Sequence, residues 1–134
     1  MSGETDWRTK VVGGLKRLHA ISVENPALPG TPDVNYIEGW IELKWSRSWP
    51  ARADSRVPCE HFSPQQRIFL RQRCDRGGRA HLLWKIADTW LLFDGAVAAK
   101  VVGKAPRAEL EAAACWSYCG PAGEKALLAY LTTP

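Results

Sequence analysis

The chain has 134 residues, a net charge of +4 and a pI of about 9.0, with 46% of its residues hydrophobic. That is enough for one domain with a real core, and no apolar run approaches the ~20 residues of a membrane span. The polar stretch from Met1 to Lys10 has no apolar signal segment, so a cytoplasmic protein is expected. Cys59, Cys74, Cys115 and Cys119 should then be reduced thiols rather than a disulfide framework.

In chain order, residues 5–20 read as a helix, with Trp7, Val11, Leu15 and Leu18 on one apolar face. Gly13-Gly14 weakens it by about 1 kcal/mol per glycine relative to alanine and would permit close approach to a sheet. Ile21 to Glu24 alternates as a short edge strand, with Glu24 either approaching a site or facing water. Three prolines, Pro26, Pro29 and Pro32, then stiffen the approach to Asp33 and forbid helix.

The next segment is where chemistry concentrates. From Trp40 to Trp45 the residues alternate, putting Trp40, Glu42 and Lys44 on one face and Ile41, Leu43 and Trp45 on the other. A two-residue turn at Glu38-Gly39 pairs Asn35 with Glu42 and Asp33 with Lys44. Asp33 then stands diagonal to Glu42 at roughly 7–8 Å. Two carboxylates so placed suit one hard divalent cation, with a lysine beside the reacting group.

A loop of about seventeen residues follows, Ser46 to Phe62, carrying Arg47, Arg52, Arg56 and Trp49. Trp49 either stacks on an unpaired base or covers the sheet edge. Ser63-Pro64-Gln65-Gln66 starts a helix, with Ser63 as cap, proline at the first position and Gln66 placed for a capping box. That helix runs to Arg76 and stops at Gly77-Gly78, with Ile68, Phe69, Leu70 and Cys74 as its apolar contacts and Arg67 and Arg71 elsewhere. Between Lys44 and Lys85 ten basic residues meet only Asp54, Glu60 and Asp75, the local charge that a phosphate backbone recruits.

Arg79 to Ala87 is a largely apolar, central strand in which His81 is a packing residue. Thr89 to Phe93 is another, closed by a plain turn at Asp94-Gly95. Beyond it, helices are expected from Arg107 to about Trp116 and from Glu124 to Leu131, forming a lid or a dimer surface. Cys59 with His61, or Cys115 with Cys119 one helical turn away, could serve zinc; idle thiols are the expectation.

Pro32-Asp33, followed nine residues on by Glu42-Leu43-Lys44, resembles the PD-(D/E)xK signature of the restriction-endonuclease-like nucleases. Gly30-Thr31-Pro32-Asp33, the Ser63-Pro64-Gln65-Gln66 helix start and Gly77-Gly78 before a strand resemble its VRR-NUC and Holliday-junction-resolvase-like branch, which includes small phage proteins. The resemblance implies an α/β fold: a small core over about residues 4–95 with a central mixed sheet of four to five strands flanked by helices, in the order helix–strands–helix–strands. C-terminal helices over about 96–134 would complete a single domain.

It also implies an Mg2+- or Mn2+-dependent endonuclease that cuts branched, junction or flapped DNA, in a host cytoplasm if phage-encoded, and works as a homodimer. Asp33, Glu42 and the Leu43 carbonyl would hold the metal, with Glu4 or Glu24 as a further ligand, and Lys44 would stabilise the transition state. Gln66 becomes a site residue that orients water or phosphate, set against its capping role. Arg47, Arg52, Arg56, Arg67, Arg71 and Trp49 would contact DNA. A non-catalytic DNA-binding module that keeps the fold is the alternative, and a structural or interaction protein is a third.

Overall fold

The computed structural model describes residues 3–133, with residues 3–5 described only as helical backbone. The order of elements is α1 (Gly3–Gly14), β1 (Ile21–Ser22), β2 (Val34–Tyr36), β3 (Gly39–Ser46), α2 (Pro64–Asp75), β4 (Arg79–Ile86), β5 (Thr89–Asp94), α3 (Gly95–Val101), α4 (Arg107–Ala113), β6 (Trp116–Cys119) and α5 (Gly123–Thr132). The six strands form one sheet in chain order. Every neighbouring pair is antiparallel except β3 and β4, which run parallel and need α2 as their crossover. The chain is therefore α/β with a mixed sheet and the expected helix–strands–helix–strands order, but the sheet has six strands, not four to five. Among the described residues no helix is long and apolar enough to cross a membrane.

The sheet separates two cores. On one face Leu82, Trp84, Ile86, Leu91 and Phe93 pack under Leu70 of α2, Ala98 of α3 and Leu110 of α4. On the other, Ile41, Leu43, Leu83, Trp90 and Leu92 pack under Trp7, Val11 and Leu15 of α1 and Leu127 of α5. β4 and β5 are covered on both sides, which is why their sequence is nearly continuous in apolar residues.

Several expectations change. The first helix ends at Gly14 and is followed by a 3-10 turn over Lys16–Leu18. Gly14 abuts Glu124 of α5, where a Cβ would lie 2.5 Å from the Glu124 Cβ, so the close approach is to that helix and not to the sheet. Ile68 is exposed rather than packed. Asp94-Gly95 is not a plain turn, since Asp94 ends β5 and Gly95 begins α3 directly. The helix expected to reach Trp116 stops at Ala113, and Trp116-Ser117-Tyr118-Cys119 is a strand paired with β5. Its period of two follows an alanine run that reads as helix. Cys119 thus sits on a strand, not one helical turn beyond Cys115.

Candidate active site

The β2–β3 hairpin sets the site. The pairs are Val34 with Ile41, Asn35 with Trp40 and Tyr36 with Gly39, so the turn is Ile37-Glu38 and not Glu38-Gly39. Gly39 looks like a turn residue but stands in the strand, because a Cβ there would run into the Arg79 carbonyl oxygen. The shift moves the pairing by two, which keeps every side chain on its face. Asp33, one step beyond the last pair, comes directly opposite Glu42 instead of diagonal to it.

Asp33 is fixed from two sides. Its Oδ2 accepts the Leu43 N–H at 2.9 Å, and its Oδ1 accepts from Arg8 Nη2 of α1 at 2.9 Å. Glu42 is 2% exposed. Its Oε2 lies 3.1 Å from Lys44 Nζ, while its Oε1 is buried with no hydrogen-bond partner among the described residues. Burial above all, then the repulsion of the Asp33 carboxylate, outweigh the nearby ammonium and push the Glu42 pKa up to about 8.

Lys44 uses all three of its N–H groups: on Glu42, on the His61 carbonyl at 2.9 Å and on Gln66 Oε1 at 3.2 Å. Gln66 Oε1 also accepts the Ser63 N–H at 2.9 Å while Ser63 Oγ accepts the Gln66 N–H at 3.2 Å. The capping box and the contact with Lys44 therefore coexist on one carbonyl oxygen, which has two lone pairs. These groups line a cavity of about 140 Å3 together with Trp7, Arg8, Leu43, Trp45 and His61.

Arg8 and His61 are contributors that the sequence does not announce. The only clue to Arg8 is its place beside the buried Trp7, and the partner it reaches is 25 residues away. Glu24 is not brought in: its side chain is 86% exposed and, among the described residues, pairs with Arg8 at 3.6 Å. The Glu4 side chain lies outside the described residues. Among the described residues no three His, Cys, Asp or Glu side chains converge on a common point. The centre accordingly rests on two carboxylates.

The basic residues divide. Arg47, Arg52 and Arg71 are exposed, with Arg52 3.5 Å from Asp54. Arg56 Nη1 donates to the Gly103 carbonyl at 2.6 Å. Arg67 Nη1 donates to the Ala99 carbonyl at 3.1 Å and its guanidinium stacks 4.2 Å from the Phe62 ring, where burial lowers its pKa. Trp49 is half-buried beneath the Arg107 guanidinium, 4.2 Å from its ring. All four cysteines are free, and burial pushes the Cys59 thiol up to about 12, the state of an idle thiol. His81 is largely packed away, and burial lowers its pKa. Compared with known proteins, the chain matches no family model and no curated protein.

Proposed function

We propose that the protein is a metal-dependent endonuclease hydrolysing DNA phosphodiester bonds, selective for branched, junction or flapped DNA. The observation that carries this reading is that Asp33 and Glu42 stand opposite each other on one cavity, with Glu42 Oε1 buried and unpartnered among the described residues beside a fixed ammonium. A buried oxygen without a donor is costly, and a hard cation is the partner that two such carboxyls suit. Asp33, Glu42 and the Leu43 carbonyl would hold Mg2+ or Mn2+, which when bound would supply the Lewis acidity that activates a water and offsets charge on the scissile phosphate.

The chain's own groups do the rest. Lys44, held by three acceptors, presents a fixed positive charge toward the cavity without needing to reorganise as charge develops on the phosphate. Gln66 keeps that ammonium in place. Arg47, Arg52 and Arg71 offer exposed guanidinium groups to the DNA backbone. Selectivity for branched DNA rests on the resemblance of the Asp33–Lys44 and Ser63–Gln66 motifs to resolvase-like enzymes.

The non-catalytic DNA-binding module is a second reading, and one contact favours it. Arg8 already engages Asp33 at 2.9 Å and Lys44 engages Glu42 at 3.1 Å, so each carboxyl group has a basic partner from the chain itself. Nicking of supercoiled plasmid and cutting of a four-way junction, with and without Mg2+, separates the two. Metal-dependent cutting by the wild type that disappears in Asp33→Ala is the expected result. Junction binding with no cutting at any Mg2+ or Mn2+ concentration would leave only the module.

A further inference from the structure

A larger cavity, of about 610 Å3, adjoins the candidate active site and is walled by the end of β3 and the loop that follows it. Trp45 and His61 line both cavities, so the two share a wall. Its other walls include Arg47, Trp49 and Arg56, and Glu60 is the only acid among its lining residues.

The cavity is pinned rather than loose. Arg107 stacks on Trp49, Arg56 is tied to the Gly103 carbonyl, and the Val57 N–H donates to the Ala105 carbonyl at 3.0 Å. His61 is held at a φ of 65°, a backbone conformation costly for a residue with a Cβ, and its carbonyl is gripped by Lys44. The loop therefore takes its shape from the same lysine that stands in the carboxylate cluster.

A preformed cavity of this volume matches sites for one small ligand and cannot admit a paired duplex. An aromatic side chain among arginines is the combination that takes a nucleobase and its phosphate without reading sequence. We propose, resting on the nuclease reading above, that this cavity receives one unpaired nucleotide of the strand next to the phosphate to be cut, with the base against Trp49 and the phosphate toward Arg47. The substrate is then DNA with an unpaired nucleotide at the cut. A paired nucleotide must first be unstacked to enter, which disfavours continuous duplex.

The test needs no cutting. The full chain, without divalent metal, is titrated with three labelled duplexes of equal length. One is fully paired, one carries a single unpaired nucleotide, and one carries an abasic residue at that place. The unpaired nucleotide should strengthen binding about tenfold over the paired duplex, and the abasic residue should lose most of that gain. Trp49→Ala should abolish the preference, and Arg47→Ala, at an exposed position, should reduce it at least about threefold. The exposed substitution and the abasic comparison both stand if Trp49→Ala fails to fold.

Equal affinity for base and abasic site overturns the proposal, as does a preference unchanged in both variants. Displacement by free dAMP at concentrations comparable to the DNA also overturns it, because the cavity would then be an isolated nucleotide site. No DNA binding at all sinks this proposal and the nuclease reading together. A preference without metal-dependent cutting removes the nuclease reading and keeps the cavity, whereas cutting without a preference does the reverse.

Discussion

The carboxylate cluster at the β2–β3 hairpin and the arginines of residues 47–76 are both dense in charge, but their side chains are spent differently. In the cluster, Asp33, Glu42, Lys44 and Gln66 all turn toward one cavity. Among the arginines, Arg56 and Arg67 turn inward to the Gly103 and Ala99 carbonyls, which lie at and just beyond the C-terminal end of α3. Those carbonyls lack helical partners, and an arginine is a natural donor to them. Arg47, Arg52, Arg71, Arg73 and Arg76 are exposed, and of these Arg73 lies over the Phe69 ring at 4.7 Å. Strand alternation fixes where a side chain points, whereas basic composition fixes only how many cations there are.

Lys44 is the residue of the cluster whose loss should have the largest effect. If its ammonium acts on the phosphate, Lys44→Met should lower the single-turnover cutting rate by about 10²–10³-fold with junction binding in the absence of metal little changed. If Lys44 only holds the His61 carbonyl and the loop, cutting would survive while thermal stability fell. Measuring both quantities on the same variant decides between the two.

A smaller effect, graded with pH, comes from Glu42. Its pKa is about 8 in the folded chain, against an ordinary 4.5. A carboxyl must be deprotonated to hold a metal, so the affinity for Mg2+, read from cutting at limiting Mg2+, should fall by about tenfold per pH unit below 8. Stability runs the other way. Between 4.5 and 8 the folded chain holds a proton that the unfolded chain has released. The contribution is complete below 4.5 and is lost as pH rises through about 8. Thermal unfolding without metal should show the wild type losing stability across that window while Glu42→Gln stays flat. A wild-type profile as flat as the variant's would mean that Glu42 is charged and satisfied, leaving its Oε1 no claim on a cation.

Particular residues show what could be read in advance. The facing of Glu42 and Lys44 was legible because a period of two survives any error of two in register, and the misplaced turn at Gly39 was such an error. The Ser63 cap and Gln66 were legible because capping is local. Arg8 was not, since its contact with Asp33 depends on α1 crossing the sheet at one position. β6 was not, because an alanine run favours helix until pairing with β5 overrides it. The division of the arginines was hidden for the same reason: each inward bond needs a carbonyl from a distant part of the chain.

Arg67 and Arg71 sharpen that last point with the smallest effect. They lie four residues apart on α2, carry the same charge and would be interchangeable if composition governed. Arg67→Ala removes the hydrogen bond to the Ala99 carbonyl and the stacking on Phe62, and should cost about 1–2 kcal/mol of stability. Arg71→Ala touches no described contact and should leave the melting temperature within a degree or so. DNA affinity should move oppositely: Arg71→Ala weakens it a few-fold and reduces the salt dependence by about one counterion, while folded Arg67→Ala binds nearly as the wild type does. Equal losses of affinity in the two variants would return Arg67 to the binding surface, and the contrast between an ordered cluster and a divided basic surface would lose its clearest instance.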